Sequence, residues 1–311
     1  MDRNCSQIQG NISLAIPVHM EVESPIMRVM IPILTVFGIF GNTMAFAKIV
    51  SDKRLHTHTY FAVAALILSD LVSVCLYGIH VLVYLSFEVK EDVKLFEKFF
   101  MSATFGSTHA SAAHVVFLVG LRYYCVVKRI HYETLSKRIL LKISCILWVL
   151  SVCFATVYYI LRFHTDLDVA VTVLLFRGYL LCLPICIIIY FHLKKITVIR
   201  TVSFSRKLRT SGGSERMIRA RSQIIVMSRM VSVILTVFTM SAALYPISFC
   251  LIYFGVCCSE YECRSLLLMA RMAWILKFSI NPFIYLLFSE VVYSRVKKYL
   301  TKGFTTLCEI C

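Results

Sequence analysis

Two opposite charges lie inside long apolar stretches of this sequence. Asp70 occupies one stretch, and Lys277 occupies another, one helical turn before Asn281. Residues four positions apart project from the same helix face, and Pro282 loosens the backbone beside them. Asn42 adds a polar side chain in a third stretch. Polar groups inside membrane helices are costly and mark functional sites. We therefore predict an intramembrane polar network that either packs helices together or switches between two arrangements.

Catalytic chemistry is not predicted. The sequence has no Ser/His/Asp set, no His-Glu-x-x-His motif and no paired catalytic carboxylates. Zinc binding by the cysteines near residue 260 lacks the paired histidine spacing of a zinc site. We therefore predict a protein that is not an enzyme and that holds no metal and no cofactor.

Seven apolar stretches must position the polar residues. The 311 residues are 59% hydrophobic and 16% charged, with a mean hydropathy of +0.78. This composition excludes a soluble or disordered chain. Each stretch reaches the roughly 20 residues that cross about 30 Å of hydrocarbon as a helix. We predict an all-α membrane protein, a seven-transmembrane helix bundle, with helices over 30–49, 60–87, 99–121, 143–161, 169–193, 230–259 and 265–289.

The distribution of charge predicts the orientation of the bundle. If the N-terminus lies outside, most of the 33 Lys and Arg residues lie on the cytoplasmic side. The positive-inside rule therefore predicts a plasma-membrane protein with an extracellular N-terminus and a cytoplasmic C-terminus. The net charge of +16 then flanks membrane spans, where it meets anionic lipid and a cytosolic partner, and nucleic-acid binding is not predicted.

Three segments follow from this topology. Residues 1–25 form the extracellular N-terminus, 26–289 the transmembrane domain, and 290–311 the cytoplasmic tail. The N-terminus contains two Asn-x-Ser sequons, at Asn4 and Asn11. We predict that both are glycosylated.

The polar motifs occur in the order typical of one receptor family. One landmark lies in or at the end of each successive stretch: Gly41-Asn42, Leu66-Ile67-Leu68-Ser69-Asp70, Arg122-Tyr123, Trp148, Pro184, Pro246 and Asn281-Pro282-Phe283-Ile284-Tyr285. The chain resembles a divergent rhodopsin-like (class A) G-protein-coupled receptor over nearly its whole length. The resemblance implies that helix rearrangement couples an extracellular ligand to a heterotrimeric G protein.

The resemblance also implies roles for the switch residues. Arg122, followed by Tyr123, contacts the G protein when the sixth helix swings outward. Tyr285, at the end of the Asn281–Tyr285 motif, moves inward to support that state. Pro184 and Pro246 mark bends where helices pivot.

The tail resembles the short amphipathic helix that follows the seventh helix in this family. Phe288, Val292, Val296 and Leu300 repeat every four residues, with lysines on the other side. We predict that this helix lies on the inner leaflet. Cys308 and Cys311 beyond it are either palmitoylated or free thiols.

The sequence departs from the family pattern at its switch. Leu121 replaces the acidic residue that usually precedes the arginine and holds it in the resting state. We therefore predict raised basal signalling. Leu244 stands where the family usually has Trp, and Met240 replaces a Phe one turn below, so the family's trigger cannot be assigned to these residues.

A second departure concerns a sodium site. Asp70 and Ser111 match two sodium ligands of the family, but Lys277 falls beside them, where a small neutral residue is usual. A sodium ion and an ammonium repel each other in a low-dielectric core. We therefore predict an Asp70–Lys277 ion pair in place of sodium, within a network of Asn42, Asp70, Ser111 and Lys277.

The family's usual disulfide at the top of the third helix is not predicted, because Glu97 stands where its first cysteine belongs. Four other cysteines face the oxidising side and form up to two bridges in any of three pairings: Cys5, Cys257, Cys258 and Cys263. We favour a bridge from Cys263 to Cys257 or Cys258. Seven cysteines in the helices are predicted to be small apolar fillers.

A ligand cavity is expected between the outer halves of the helices. Alignment on the landmarks places eight residues there: His80, Thr104, Thr108, His109, Arg177, Tyr245, Arg271 and Trp274. Thr104 stands where amine receptors have an aspartate, which argues against a cationic amine. The two arginines suit a small anionic ligand such as a carboxylate. Alternatively, they reach the outer headgroups or pair with acidic residues of the outer loops.

The sequence bears on three other functions. A photopigment is not predicted, because Ile275 stands where opsins have the retinal-bearing lysine. A chemosensory, odorant-like receptor stays an alternative, since the loops and tail are short. From another class, a transporter or proton-conducting protein would use Asp70 and Lys277, but the chain has no inverted repeat.

Overall fold

The described part of the chain forms seven α-helices. The computed structural model describes residues 25–86, 91–127, 134–165, 169–207, 215–253 and 260–287. The helices are α1 (Pro25–Ser51), α2 (His58–Ser86), α3 (Glu91–Val127), α4 (Lys137–Phe163), α5 (Val169–Lys207), α6 (Glu215–Tyr253) and α7 (Glu260–Leu287). A 3-10 turn, Lys53–Leu55, lies between α1 and α2. The described residues include no strand, and the predicted all-α seven-helix bundle is confirmed. The predicted amphipathic helix lies outside these ranges.

In lipid these apolar stretches must be helical, because a helix pairs the backbone N–H and C=O groups of a span with one another. Five helices qualify as membrane spans by length and composition, in α1, α2, α4, α5 and α6. α3 and α7 are less apolar because they carry buried polar side chains, among them Ser111 and His114 in α3 and Lys277 and Asn281 in α7. α3 and α7 therefore carry several of the buried polar side chains of the core.

The outer surface of the bundle is apolar. Val36, Phe40, Val149 and Leu175 are each at least 60% exposed. In water, contiguous patches of such side chains would mark binding or aggregation sites. Around a ring of hydrophobic helices they are the surface that contacts lipid.

α3 is the central helix and packs against α2, α4, α5 and α6, while α7 packs against α1, α2 and α6. Glycines permit several close contacts between the helices. A Cβ at Gly106 would lie 2.7 Å from the Cβ of Ala155 in α4, and one at Gly41 would lie 3.0 Å from Pro282 in α7. These contacts set the distances across which the core polar groups meet.

Candidate functional site

A buried carboxylate joins three helices at the centre of the bundle. Asp70 in α2 is fully buried. Its Oδ1 accepts a 2.6 Å hydrogen bond from Ser111 Oγ in α3, and its Oδ2 accepts a 2.8 Å bond from Asn281 Nδ2 in α7. Two side-chain donors therefore serve its two oxygens, as a buried charge requires.

Asn42 in α1 supplies a hydrogen bond that the backbone of α7 lacks. Its Nδ2 donates to the carbonyl of Gly38 at 2.8 Å and to the carbonyl of Phe278 at 2.9 Å. In a regular helix, the Phe278 carbonyl would accept from the amide of residue 282, but Pro282 has no N–H. The Asn42 amide supplies that missing donor from α1. Ser279, which the sequence did not single out, makes a parallel link to the carbonyl of Leu34 at 2.9 Å.

The predicted Asp70–Lys277 ion pair is wrong, as the described residues hold no such pair within 4.0 Å. The Lys277 side chain is 1% exposed, and its ammonium makes no hydrogen bond in the described part of the chain. It instead lies over the rings of Phe238, Phe278 and Trp274, at 4.5, 4.4 and 5.5 Å from their centroids. The reason is that two other donors already serve the carboxylate, while these rings offer an ammonium favourable cation–π contact.

The arginine landmark, Arg122, contacts a side chain of α2. Arg122 is 8% exposed, and its Nη1 lies 3.4 Å from Thr59 Oγ1 in α2. Leu121 is buried and apolar. Beside Arg122, the Tyr123 ring lies 5.2 Å from that of Phe191 in α5. A hydroxyl therefore contacts the guanidinium where the family usually has an adjacent carboxylate.

The remaining switch landmarks are buried inside the bundle. Tyr285 is 3% exposed, and its hydroxyl has no hydrogen-bond partner among the residues described. Pro184 lies within α5 and Pro246 within α6. Pro282 lies within α7, directly after the Asn281 amide that reaches Asp70.

A small cavity unites five of the eight predicted ligand residues. It measures about 70 Å³ and is lined by His80, Thr104, Arg177, Arg271 and Trp274, with Tyr77, Met101, Phe105 and Val173. The Arg177 guanidinium lies 4.4 Å from the ring centroids of both Phe105 and Trp274. His80 is 9% exposed, and its Nε2 makes no hydrogen bond to any described residue. The cavity thus combines two cations, an imidazole and aromatic walls.

Two predicted ligand residues lie elsewhere. His109 bonds Ser151 of α4 at 2.9 Å, and its ring stacks on Phe154 at 4.5 Å. The reason is helical phase, because five residues after Thr104 the side chain has rotated by about 140° to the α4 side. Thr108 lies one turn beyond Thr104 and is 2% exposed, outside the cavity lining. The side chain of Tyr245 is not among those described.

One buried histidine, His114, was not predicted as a site residue from the sequence. His114 is fully buried, with Nδ1 at 2.7 Å from the Ala110 carbonyl and Nε2 at 2.9 Å from Ser144 Oγ in α4. Its presence in an apolar stretch, five residues after His109, was the available signal. Together these histidines form polar contacts between α3 and α4.

A larger groove of about 440 Å³ lies between α2, α3 and α4. Its lining includes Trp148, Val152 and Tyr159 but no charged side chain. Phe99 and Val152 in its walls are exposed on the outer, apolar surface. The groove therefore offers volume without the polar groups that recognise a specific ligand.

Several predicted sites lie outside the described residues: Asn4, Asn11, Cys5, Cys257, Cys258, Cys308 and Cys311, and the side chain of Cys263. Of the seven helix cysteines, Cys145, Cys153, Cys182 and Cys186 are exposed on the outer surface. The prediction that all seven are interior fillers is therefore wrong for these four, because a thiol is apolar enough to face lipid. Within the described ranges, no cluster of His, Cys, Asp or Glu could hold a metal ion.

Comparison with known proteins bears on these landmarks. A family model described as "7 transmembrane receptor (rhodopsin family)" matches residues 41–285. Among solved structures, squid rhodopsin superposes with a TM-score of 0.67 at 16% sequence identity, covering 89% of this chain and 85% of that one. At such low identity the superposition demonstrates a shared fold only. No curated protein sequence matches the chain.

Proposed function

Because the chain belongs to the rhodopsin family of seven-transmembrane receptors, we propose that it transmits binding of an extracellular ligand to heterotrimeric G proteins. The observation that carries this proposal is the polar centre, in which Asp70 bonds both Ser111 and Asn281. It ties α2, α3 and α7 together between the small cavity and Arg122. A change in how these helices pack at the cavity would therefore alter the position of Arg122.

The proposed orientation follows the charge distribution. Residues 1–25, with glycosylated Asn4 and Asn11, would face the outside of the plasma membrane, and residues 290–311 the cytoplasm. The basic residues at the Arg122 end would then meet anionic lipid and the G protein. Epitope tags at the two chain ends test this orientation, and accessibility of both tags from the same side would contradict it.

The proposed ligand is a small anion, for which a carboxylate is the simplest example. Arg177 and Arg271 supply cationic donors, His80 a further polar group, and Trp274 an apolar wall. Guanidinium groups bind carboxylates through paired hydrogen bonds. The volume of about 70 Å³ favours a ligand of a few heavy atoms.

The coupling experiment measures ligand-free activation of a panel of G proteins in cells. Arg122→Ala should abolish it, whereas Val149→Ala should not, since Val149 is 62% exposed on the apolar outer surface of α4. Equal activity of wild type and Arg122→Ala at equal surface expression would contradict the proposed coupling.

The ligand experiment screens small mono- and dicarboxylates against the wild-type receptor. A carboxylate agonist should lose potency by about tenfold or more in Arg177→Gln or Arg271→Gln, because one charge-assisted contact contributes about 1.5 to 3 kcal/mol. Unchanged potency in both variants would exclude this cavity as its binding site.

Membership of a receptor family also weighs against the transporter alternative. Flux of small anions in reconstituted vesicles, measured beside G-protein activation, distinguishes the two. Substrate flux without any activation would favour a transporter.

A further inference from the structure

The family resemblance raises the question of a sodium ion at Asp70 and Ser111. With the charged Lys277 in the same interior, the residues around that carboxylate do not fit one. Its two oxygens already accept hydrogen bonds from Ser111 and from the amide of Asn281. The Asn281 amide directs its N–H group toward the carboxylate, while its Oδ1 makes no hydrogen bond to a described residue, so the charge of the core decides whether a sodium ion can be added.

The charge balance of the core points the same way. Among the described residues, Asp70 is the one fully buried carboxylate, and Lys277, at 1% exposure, lies in the same interior. Their opposite charges attract without direct contact. A sodium ion added beside them would leave a net positive charge in a low-dielectric region, where like charges repel strongly.

The Lys277 ammonium is well placed to persist there. Three aromatic rings, Phe238 from α6 with Trp274 and Phe278 from α7, surround it at 4.4 to 5.5 Å from their centroids. Ring faces stabilise a cation that has left water. Because the cation is covalently attached, it cannot dissociate into the medium as a free ion would.

We propose that the Lys277 ammonium is a built-in cation that replaces sodium in the core. Its charge balances Asp70 through space, and its ring contacts connect α7 to α6. The receptor should therefore bind no sodium ion at Asp70, and its stability should not depend on which monovalent cation is present. This inference does not require G-protein coupling, so it can fail or succeed independently of the proposed function.

The test is thermal unfolding of the purified full-length receptor at one scan rate and constant ionic strength. An ion that binds only the folded state raises the melting temperature of the protein. For wild type we expect a difference below about 1 °C when NaCl replaces KCl or choline chloride at about 150 mM. A saturable, sodium-specific rise in wild type would overturn the proposal.

Removing the built-in cation should create a sodium response. In Lys277→Asn, sodium should raise the melting temperature by about 3 °C or more relative to potassium. Adding Asp70→Asn to that variant should abolish the rise. Lys194→Asn, which changes an exposed lysine of α5, should behave as wild type.

A folded Lys277→Asn receptor that responds equally to sodium and potassium would overturn the assignment to Lys277. If Lys277→Asn does not accumulate, Lys277→Gln is measured in the same way with the same two readings. The wild-type comparison decides the sodium claim even without a variant.

Discussion

The contact between Asn42 and α7 yields the sharpest prediction about this bundle. Pro282 cannot donate to the Phe278 carbonyl, and the Asn42 amide does so from α1 at 2.9 Å. Asn42→Ala should therefore leave that buried carbonyl without a donor. An orphaned buried polar group costs about 1 to 3 kcal/mol, while interhelical hydrogen bonds in membranes average about 0.6 kcal/mol. We expect Asn42→Ala to lower the free energy of unfolding by about 1 to 2 kcal/mol.

A double-mutant cycle isolates this contact. Pro282→Ala restores an N–H at residue 282, so the Phe278 carbonyl regains a donor within its own helix. In that background, Asn42→Ala should cost less, with a coupling energy of about 1 kcal/mol. The Gly38 carbonyl, the other acceptor of Asn42, also accepts the regular helix bond of residue 42 and should contribute little.

The assay is unfolding in mixed micelles, followed by the fluorescence of the two tryptophans. Ser279→Ala is the matched control, because Ser279 also crosses from α7 to an α1 carbonyl, that of Leu34. Its cost should not change with Pro282→Ala. Coupling between Asn42 and Pro282 below about 0.3 kcal/mol, the usual error of additivity, would refute the reasoning.

Three further predictions follow from other contacts. Gly106→Ala should destabilise the protein by about 1 to 3 kcal/mol through overpacking against α4. In the same unfolding assay, Gly178→Ala should be neutral or stabilising, because its Cβ would meet nothing within 4 Å. Thr59→Val should raise ligand-free second-messenger output, because it removes the hydroxyl that contacts Arg122; output equal to wild type would contradict a restraining role. Leu121→Asp should lower that output by placing a carboxylate beside Arg122, and an unchanged or higher value would reject the predicted weak resting state.

Much of the site could be located from the sequence, because a polar residue in an apolar stretch is conspicuous without any structure. Asp70, Asn281 and Asn42 were identified in this way, and the family resemblance added Ser111. The partners were harder to identify. Lys277 was assigned to Asp70 by charge alone, but its long side chain reaches the rings around Phe238 instead.

Helical phase explains the errors at the cavity. Thr104 and Arg177 line it as expected, since both lie on faces that alignment on the landmarks identifies. The same alignment assigned His109 to the cavity, but five residues of helix rotate its side chain by about 140° from Thr104 to the α4 side. Thr59, which contacts Arg122, gave no signal because a threonine near the end of a span is ordinary.

By itself, the sequence determined the seven helices and their order. Each span is a long apolar stretch, and in lipid such a stretch must pair its own backbone polar groups as a helix. The sequence also placed Asn42, Asp70, Lys277 and Asn281 in the core, although it did not single out the buried His114. Only the tertiary structure decided their contacts: the Asn42 amide with the Phe278 carbonyl, the Lys277 ammonium with three rings, and Thr59 with Arg122. The physical reason is that contact depends on the rotation and separation of neighbouring helices, which small residues such as Gly41 set across the bundle and which no single span encodes.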